Sequence, residues 1–433
     1  MSPTRVYYVL TFTRWFPTGF VVGLFVLWAL DLGLGTAQAM SALAAIGLVV
    51  ALLELPTSGF TDVFGRRPVY VAAAVVQIAA AAAYLTASSW GTYLLAGALM
   101  GVFRALESGP LEAWFVDAVH ERTPGADVDQ PLARAGSIIG ASMAASSLLS
   151  GGLVAWHPME GRSALELPMA LFAVLTVGHL VAVLALMREV PQLHTDAATP
   201  DLAEAVEQTS AGPLGRALAS AKAAPAVVVS GLRLVATSAV LRGLVLASGL
   251  TSVVMVVQET FMPIRLAELV GGLDTAGALM GPVAAVGWGA FSLGAVAAGR
   301  VSRRIGVART ALLGRAAHCV GALVMGVVLG PVALVAAYLL TYGVFGSGVM
   351  HRALLHREAS ASNRATVLSI DSMVSFFAFA VVSPSLGLLA ERTSTQAAVV
   401  TAALVGLVAL VGYLPALRAE RVRGDSSPAA AAA

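Results

Sequence analysis

The sequence has one cysteine, Cys319, and one lysine, Lys222. A lone thiol excludes an internal disulfide framework and a thiolate-held metal cluster. Charge of either sign is scarce: charged residues make up 12% of the 433, against roughly 25% in soluble domains. Hydrophobic residues make up 58%, and the mean hydropathy is +0.84. Lipid, not water, is therefore expected as the main solvent. A net charge of +2 gives no reason to expect a nucleic-acid partner. No H-E-x-x-H, no G-x-S-x-G, no paired metal ligands and no G-x-x-x-x-G-K-[ST] phosphate loop occurs. Nothing here reads as an enzyme, and no cofactor or metal is expected. The first apolar run, 7–32, is interrupted by Arg14 and is too long for a signal-peptide core.

What the sequence does have is long apolar runs. A membrane helix needs about 20 such residues. Twelve segments qualify: 7–32, 38–57, 68–88, 91–117, 134–156, 167–188, 242–267, 275–298, 309–330, 332–355, 366–390 and 395–417. Lipid offers backbone groups no hydrogen bonds, so each span should be helical. The fold class is all-α and membrane-embedded, with two six-helix halves. The expected divisions are 1–190, a cytoplasmic linker 191–241, 242–418, and a disordered tail 419–433. In the linker, "PDLAEAVEQTS" has helical character, and "APAVVVSGLRLVATSAVLRG" suits the inner membrane surface. With both termini cytoplasmic, one set of loops and the tails collects about 20 of the 26 Lys and Arg residues, the positive-inside pattern.

Two basic turns repeat. "SGFTDVFGRR" joins spans two and three, and "GRVSRRIGVAR" joins spans eight and nine. Aligning Gly65 with Gly306 also brings Ser58 onto Gly299, an echo between halves of the kind many transporters show. In the first turn Gly65 permits a tight reversal, and Pro68 suits a helix start. Arg66 and Arg67 hold the turn on the cytoplasmic side. Asp62 suits a helix N-terminus or an arginine partner.

At these residues the chain resembles the major facilitator superfamily, whose loop between spans two and three reads roughly G-x-x-x-D-R-x-G-R-R. Asp62, Gly65, Arg66 and Arg67 match; Ser58 and Val63 depart. "LLELPT", "SGPLEAWFVDA" and "RATVLSIDSM" resemble the family's efflux-type branch. The resemblance implies a gating latch of Asp62, Gly65, Arg66, Arg67, Glu112, Asp117, Arg364 and Asp371. In it Asp62 faces Arg364 and Thr366, Asp117 partners Arg66 or Arg67, and Asp371 joins Arg364.

Charges inside apolar spans are costly and informative. Span four carries Arg104 and Glu107 on one helix face, with Pro110 bending the helix before Glu112. The resemblance implies a proton-relay arginine at Arg104, although R-A-L-E-S-G only partly fits the branch's R-x-x-Q-G; the alternative is mutual neutralisation of Arg104 and Glu107. Span seven carries Gln258 and Glu259, with Arg265 further outward. Glu259 is the first choice for a proton-coupling acid; the alternative is a hydrated acid at the outer mouth. Arg14, beside Trp15, Phe16 and Pro17, snorkels or forms a structural pair, with contact to an anionic or aromatic ligand as the alternative. Tyr342 and Phe345 are cavity walls or core. Arg315 and His318 read as near-surface or packing groups, and His179 as a packed histidine. Span five lacks the proline of the branch's G-P-x-x-G-G pattern, and Gly136, Gly140, Gly151 and Gly152 suggest close packing there.

The function expected is secondary active transport by alternating access: proton-coupled export of a small amphipathic drug or metabolite. Uptake of a small metabolite is the alternative, and a transport-dead scaffold or sensor is a third reading. The partners are substrate, protons and lipid. The expected setting is a monomer in a bacterial cell membrane, the arginine and alanine bias suggesting a high-GC source.

Overall fold

The computed structural model describes residues 1–58, 60–190, 213–360 and 363–425. The linker stretch "PDLAEAVEQTS" and the end of the tail lie outside the described residues. Helices account for the secondary structure of the described residues, which contain no strand. In chain order they are α1 (Pro3–Gly19), α2 (Leu24–Asp31), α3 (Thr36–Ser58), α4 (Phe60–Phe64), α5 (Arg66–Leu85), α6 (Trp90–Glu107), α7 (Pro110–Arg122), α8 (Asp129–Trp156) and α9 (Glu166–Leu186). There follow α10 (Pro213–Thr237), α11 (Ala239–Val256), a π-turn (Val257–Phe261), α12 (Met262–Val270), α13 (Leu273–Ile305), α14 (Val307–Val327) and α15 (Pro331–Phe345). The last are α16 (Gly348–Glu358), α17 (Arg364–Arg392), α18 (Thr395–Val408), a 3₁₀ turn (Ala409–Tyr413) and α19 (Leu414–Asp425).

Among the described residues, eleven helical stretches are long and apolar enough to cross a membrane, or twelve when α1 and α2, bent by 41°, count as one. Counted the second way, each of the twelve apolar runs corresponds to one such stretch. Large side chains such as Leu293, Leu340 and Val332 are exposed, at 74%, 73% and 82%. An apolar outer surface of that kind suits lipid and not water.

The chain divides into two compact units, 1–224 with 270–285, and 225–269 with 286–433. The boundary at 285 falls inside α13, so the first residues of that helix pack within the first unit. There α13 meets α8 at two glycines. A Cβ on Gly281 would lie 2.5 Å from the Ser147 carbonyl oxygen, and one on Gly151 would lie 2.9 Å from the Gly281 Cα. Small residues let the two backbones touch. The other three glycines of the span-five run behave differently from expectation: a Cβ on Gly136, Gly140 or Gly152 would meet nothing within 4 Å.

Each unit has its own core. In the first, Leu10, Tyr70, Trp114, Phe115 and Val183 cluster where α1, α5, α7 and α9 converge. In the second, Leu244, Ala308, Leu355, Ile370 and Tyr413 do the same for α11, α14, α16, α17 and the 3₁₀ turn. Val227 and Val235 of α10 are buried, and Val235 belongs to this second core, while Val229 and Leu232 remain exposed.

The repeated basic turns share a construction. Gly65 has φ +93° and Gly306 has φ +90°, values that L side chains rarely adopt. Each glycine precedes a helix whose first amides are held by a distant glutamate. Glu189 accepts from the Arg66 and Arg67 amides, both at 3.2 Å. Glu420 accepts from Val307 at 2.8 Å and Ala308 at 3.0 Å. A carboxylate suits the partial positive charge of a helix N-terminus. The arginines of the first turn serve the same unit: Arg66 Nε donates to Asp117 Oδ2 at 3.3 Å, the pairing expected from sequence. Arg67 donates to the Met187 and Leu184 carbonyls at the end of α9, at 2.6 and 3.3 Å, groups that a helix C-terminus leaves unsatisfied.

Candidate functional site

Polar side chains in apolar spans gather in two places, one in each unit. In the first, Arg14 on α1 is 2% exposed, which overturns snorkelling. Its Nε lies 3.1 Å from Glu107 Oε1, its Nη2 3.3 Å from Oε2, and its Nη1 2.8 Å from Thr18 Oγ1. Its guanidinium also faces the Trp15 ring at 4.7 Å and the Phe103 ring at 4.6 Å, a cation–π cage. Glu107 therefore pairs with Arg14 on another helix. Arg104, for which neutralisation by Glu107 is the alternative to a proton-relay role, is exposed. Span four breaks just beyond both residues. Gly109, at φ +95°, ends the helical run, and Pro110 starts α7. Glu107 is thus the last residue of α6, free to reach α1. Glu112, in the first turn of α7, is exposed. Nearby, His179 on α9 lies 2.9 Å from Thr13 and 3.3 Å from Tyr70, a packed and bonded histidine as expected.

In the second unit the centre is Glu259. The helix carrying it widens there into a π-turn: the Met262 amide bonds to the Val257 carbonyl, five residues back. Such turns are uncommon and concentrate at functional sites. Glu259 is exposed while Gln258 and Thr260 beside it are 3% and 1% exposed. The Tyr338 and Tyr342 hydroxyls lie within electrostatic range of the Glu259 carboxylate. Tyr342 is 8% exposed and stacks on Tyr338, with Trp288, Phe291 and Phe345 around it. Arg265, the nearest basic residue outward on this span, bonds to Glu268 at 2.7 Å and to the Val328 carbonyl at 3.1 Å.

His318, read as a near-surface or packing group, is 1% exposed and bonds to Gln258 at 2.8 Å. Asp371 bonds to His351 at 3.4 Å, while Arg364, named with it in sequence, is exposed. The side chain of Asp62 is not among those described. No group of His, Cys, Asp or Glu able to hold a metal ion occurs among the described residues. Sequence reading missed His351, Glu189 and Glu420; their only local signal is a polar residue at the margin of an apolar run.

Three solved structures show how widely this architecture is shared. A mutant of the nucleoside transporter NupG superposes with a TM-score of 0.75 at 12% identity, covering 95% of this chain and 99% of that one. An auto-inhibited POT family peptide transporter gives 0.72 at 14% identity, covering 96% and 97%. A structure described for substrate recognition in proton dependent oligopeptide transporters gives 0.65 at 14%, covering 97% and 99%. No curated protein sequence matches the chain. The Major Facilitator Superfamily profile matches residues 7–355. With that match over most of its length, the chain belongs to the major facilitator superfamily.

Proposed function

We propose that the protein is a proton-coupled secondary active transporter that works by alternating access, with Glu259 as the coupling acid. The observation that carries this reading is the π-turn. It presents one exposed carboxyl, between buried neighbours, within an apolar span. A carboxyl in such surroundings is a functional group by default. The printed descriptions of similar structures name nucleoside and peptide transporters, one group of them proton dependent, which supports transport as the activity.

Export of a small amphipathic drug or metabolite remains the favoured direction, on the efflux-type stretches around Pro56, Pro110 and Asp371. The resemblance to nucleoside and peptide transporters favours a second reading, proton-coupled uptake of a small polar metabolite. Both readings place the termini in the cytoplasm of a bacterial cell, with halves 1–190 and 242–418 joined by 191–241. Arg14, Glu107 and Arg104 belong to the substrate or proton path of the first half. Asp62, Glu112 and Arg364 serve the latch.

Purified protein in liposomes tests this. A pH gradient of either sign is imposed, and lipophilic cations, nucleosides and dipeptides are offered. Gradient-driven flux that Glu259→Gln abolishes, with exchange at equal pH surviving, is the expected result. The sign of the productive gradient separates export from uptake. Flux that the substitution leaves unchanged removes Glu259 from the coupling role.

A further inference from the structure

Behind the π-turn runs a line of buried or half-buried polar groups drawn from five elements of the second unit. It starts at Gln258, passes His318 and Arg315 on α14 and Tyr413 on the 3₁₀ turn, and ends at His351 on α16 and Asp371 on α17. The steps are 2.8 Å from Gln258 Oε1 to His318 Nε2 and 3.5 Å from His318 Nδ1 to Arg315 Nη1. The Arg315 guanidinium lies within electrostatic range of the Tyr413 hydroxyl. The Tyr413 hydroxyl lies 2.8 Å from His351 Nδ1, and His351 Nε2 lies 3.4 Å from Asp371 Oδ1.

One chemical fact orients the hydrogens from Arg315 to Gln258: a guanidinium donates and never accepts. His318 Nδ1, facing Arg315, must therefore offer its lone pair. Its proton then sits on Nε2 and is donated to the Gln258 carbonyl oxygen. That fixes the Gln258 amide, because the flipped orientation would leave Nδ1–H facing the guanidinium donors. Beyond Arg315, the Tyr413 hydroxyl, His351 and the Asp371 carboxylate continue the polar line. At its other end, the Gln258 amide nitrogen is buried and has no partner among the described residues.

We propose that Arg315 is a positioning residue for Glu259: by fixing the tautomer of His318 it clamps Gln258 and so holds the π-turn open. The function of the clamp rests on the reading of Glu259 as the coupling acid; its existence does not. The physical need is plain. Closing a π-turn into regular α-helix shifts the register by one residue, and one residue is about 100° around a helix axis. The Glu259 carboxyl would then leave its place near Tyr338 and Tyr342. A side-chain bond from another helix to the residue next to Glu259 resists that rotation.

The test uses the full-length protein, ¹⁵N-labelled at histidine, in lipid nanodiscs at neutral pH. His318→Gln assigns its resonance. The His318 imidazole is expected to carry its hydrogen on Nε2; finding it on Nδ1 overturns the proposal. Hydrogen exchange at residues 257–262 then reads the turn itself. His318→Leu is expected to speed exchange there by about tenfold, the effect of one lost hydrogen bond on local opening. His318→Gln, whose amide restores a donor toward Gln258, is expected to keep it near wild type. Exchange unchanged in His318→Leu overturns the clamp. If tautomer and exchange behave as expected but Glu259→Gln transports normally, the clamp stands and the coupling role of Glu259 falls.

Discussion

Arg14 Nε lies 3.1 Å from Glu107 Oε1, and this pair joins α1 to the last residue of α6 across 93 positions of sequence. Arg14 is enclosed and Glu107 nearly so, at 2% and 18% exposure. Removing one partner strands the other in a low-dielectric interior. Glu107→Ala is expected to cost about 3 kcal/mol, at the low end for breaking a buried pair. Arg14→Met combined with Glu107→Leu should recover most of that loss. Apparent unfolding midpoints in detergent, compared across the three variants, check both statements.

The two basic turns make a second comparison possible. Gly65→Ala and Gly306→Ala each force a side chain into positive φ, at about 1–2 kcal/mol. The new Cβ atoms would also approach the capping carboxylates, at 2.7 Å from Glu189 and 2.6 Å from Glu420. Glu189→Gln and Glu420→Gln keep the shape of the cap but lose its charge, so roughly 0.5–1 kcal/mol is expected. The two halves should respond alike; a large loss at one turn and none at the other would refute a shared design. Thermal stability in detergent is again the readout.

A third pair of variants probes the crossing of α8 and α13. Gly281→Val drives a side chain into the Ser147 carbonyl and should destabilise by about 1–3 kcal/mol, as overpacking does. Gly140→Val, on α8 but with open space around it, should stay within about 0.5 kcal/mol of wild type. Equal effects would mean that the crossing carries no special constraint.

The fold was largely legible because its signal is local. Run length alone marks each span, and Arg66 could be matched to Asp117 because family resemblance supplies the neighbourhood. The sites were less legible because their pairings are not local. The proximity of Arg104 and Glu107 on one helix face suggested that they pair. In the fold Glu107, the last residue of α6, bonds to Arg14 on α1. Likewise nothing near His318 in sequence names Gln258, and nothing near Glu259 announces a π-turn. Four elements must come together before Arg315, Tyr413, His351 and Asp371 gather. Glu189 and Glu420 sit at the margins of apolar runs, where an acid usually means only that a helix has left the membrane.

Cys319 follows His318 on α14 and is fully buried. A Cβ on Gly406 of α18 would lie 3.0 Å from its sulfur. In a chain with no other thiol, this makes the molecule its own gauge of internal opening. A maleimide added to the native protein has no other cysteine to find, so its slow reaction times the parting of α14 from α18. Any ligand or proton load that loosens or tightens that seam would change the labelling rate, with no engineered residue needed to see it.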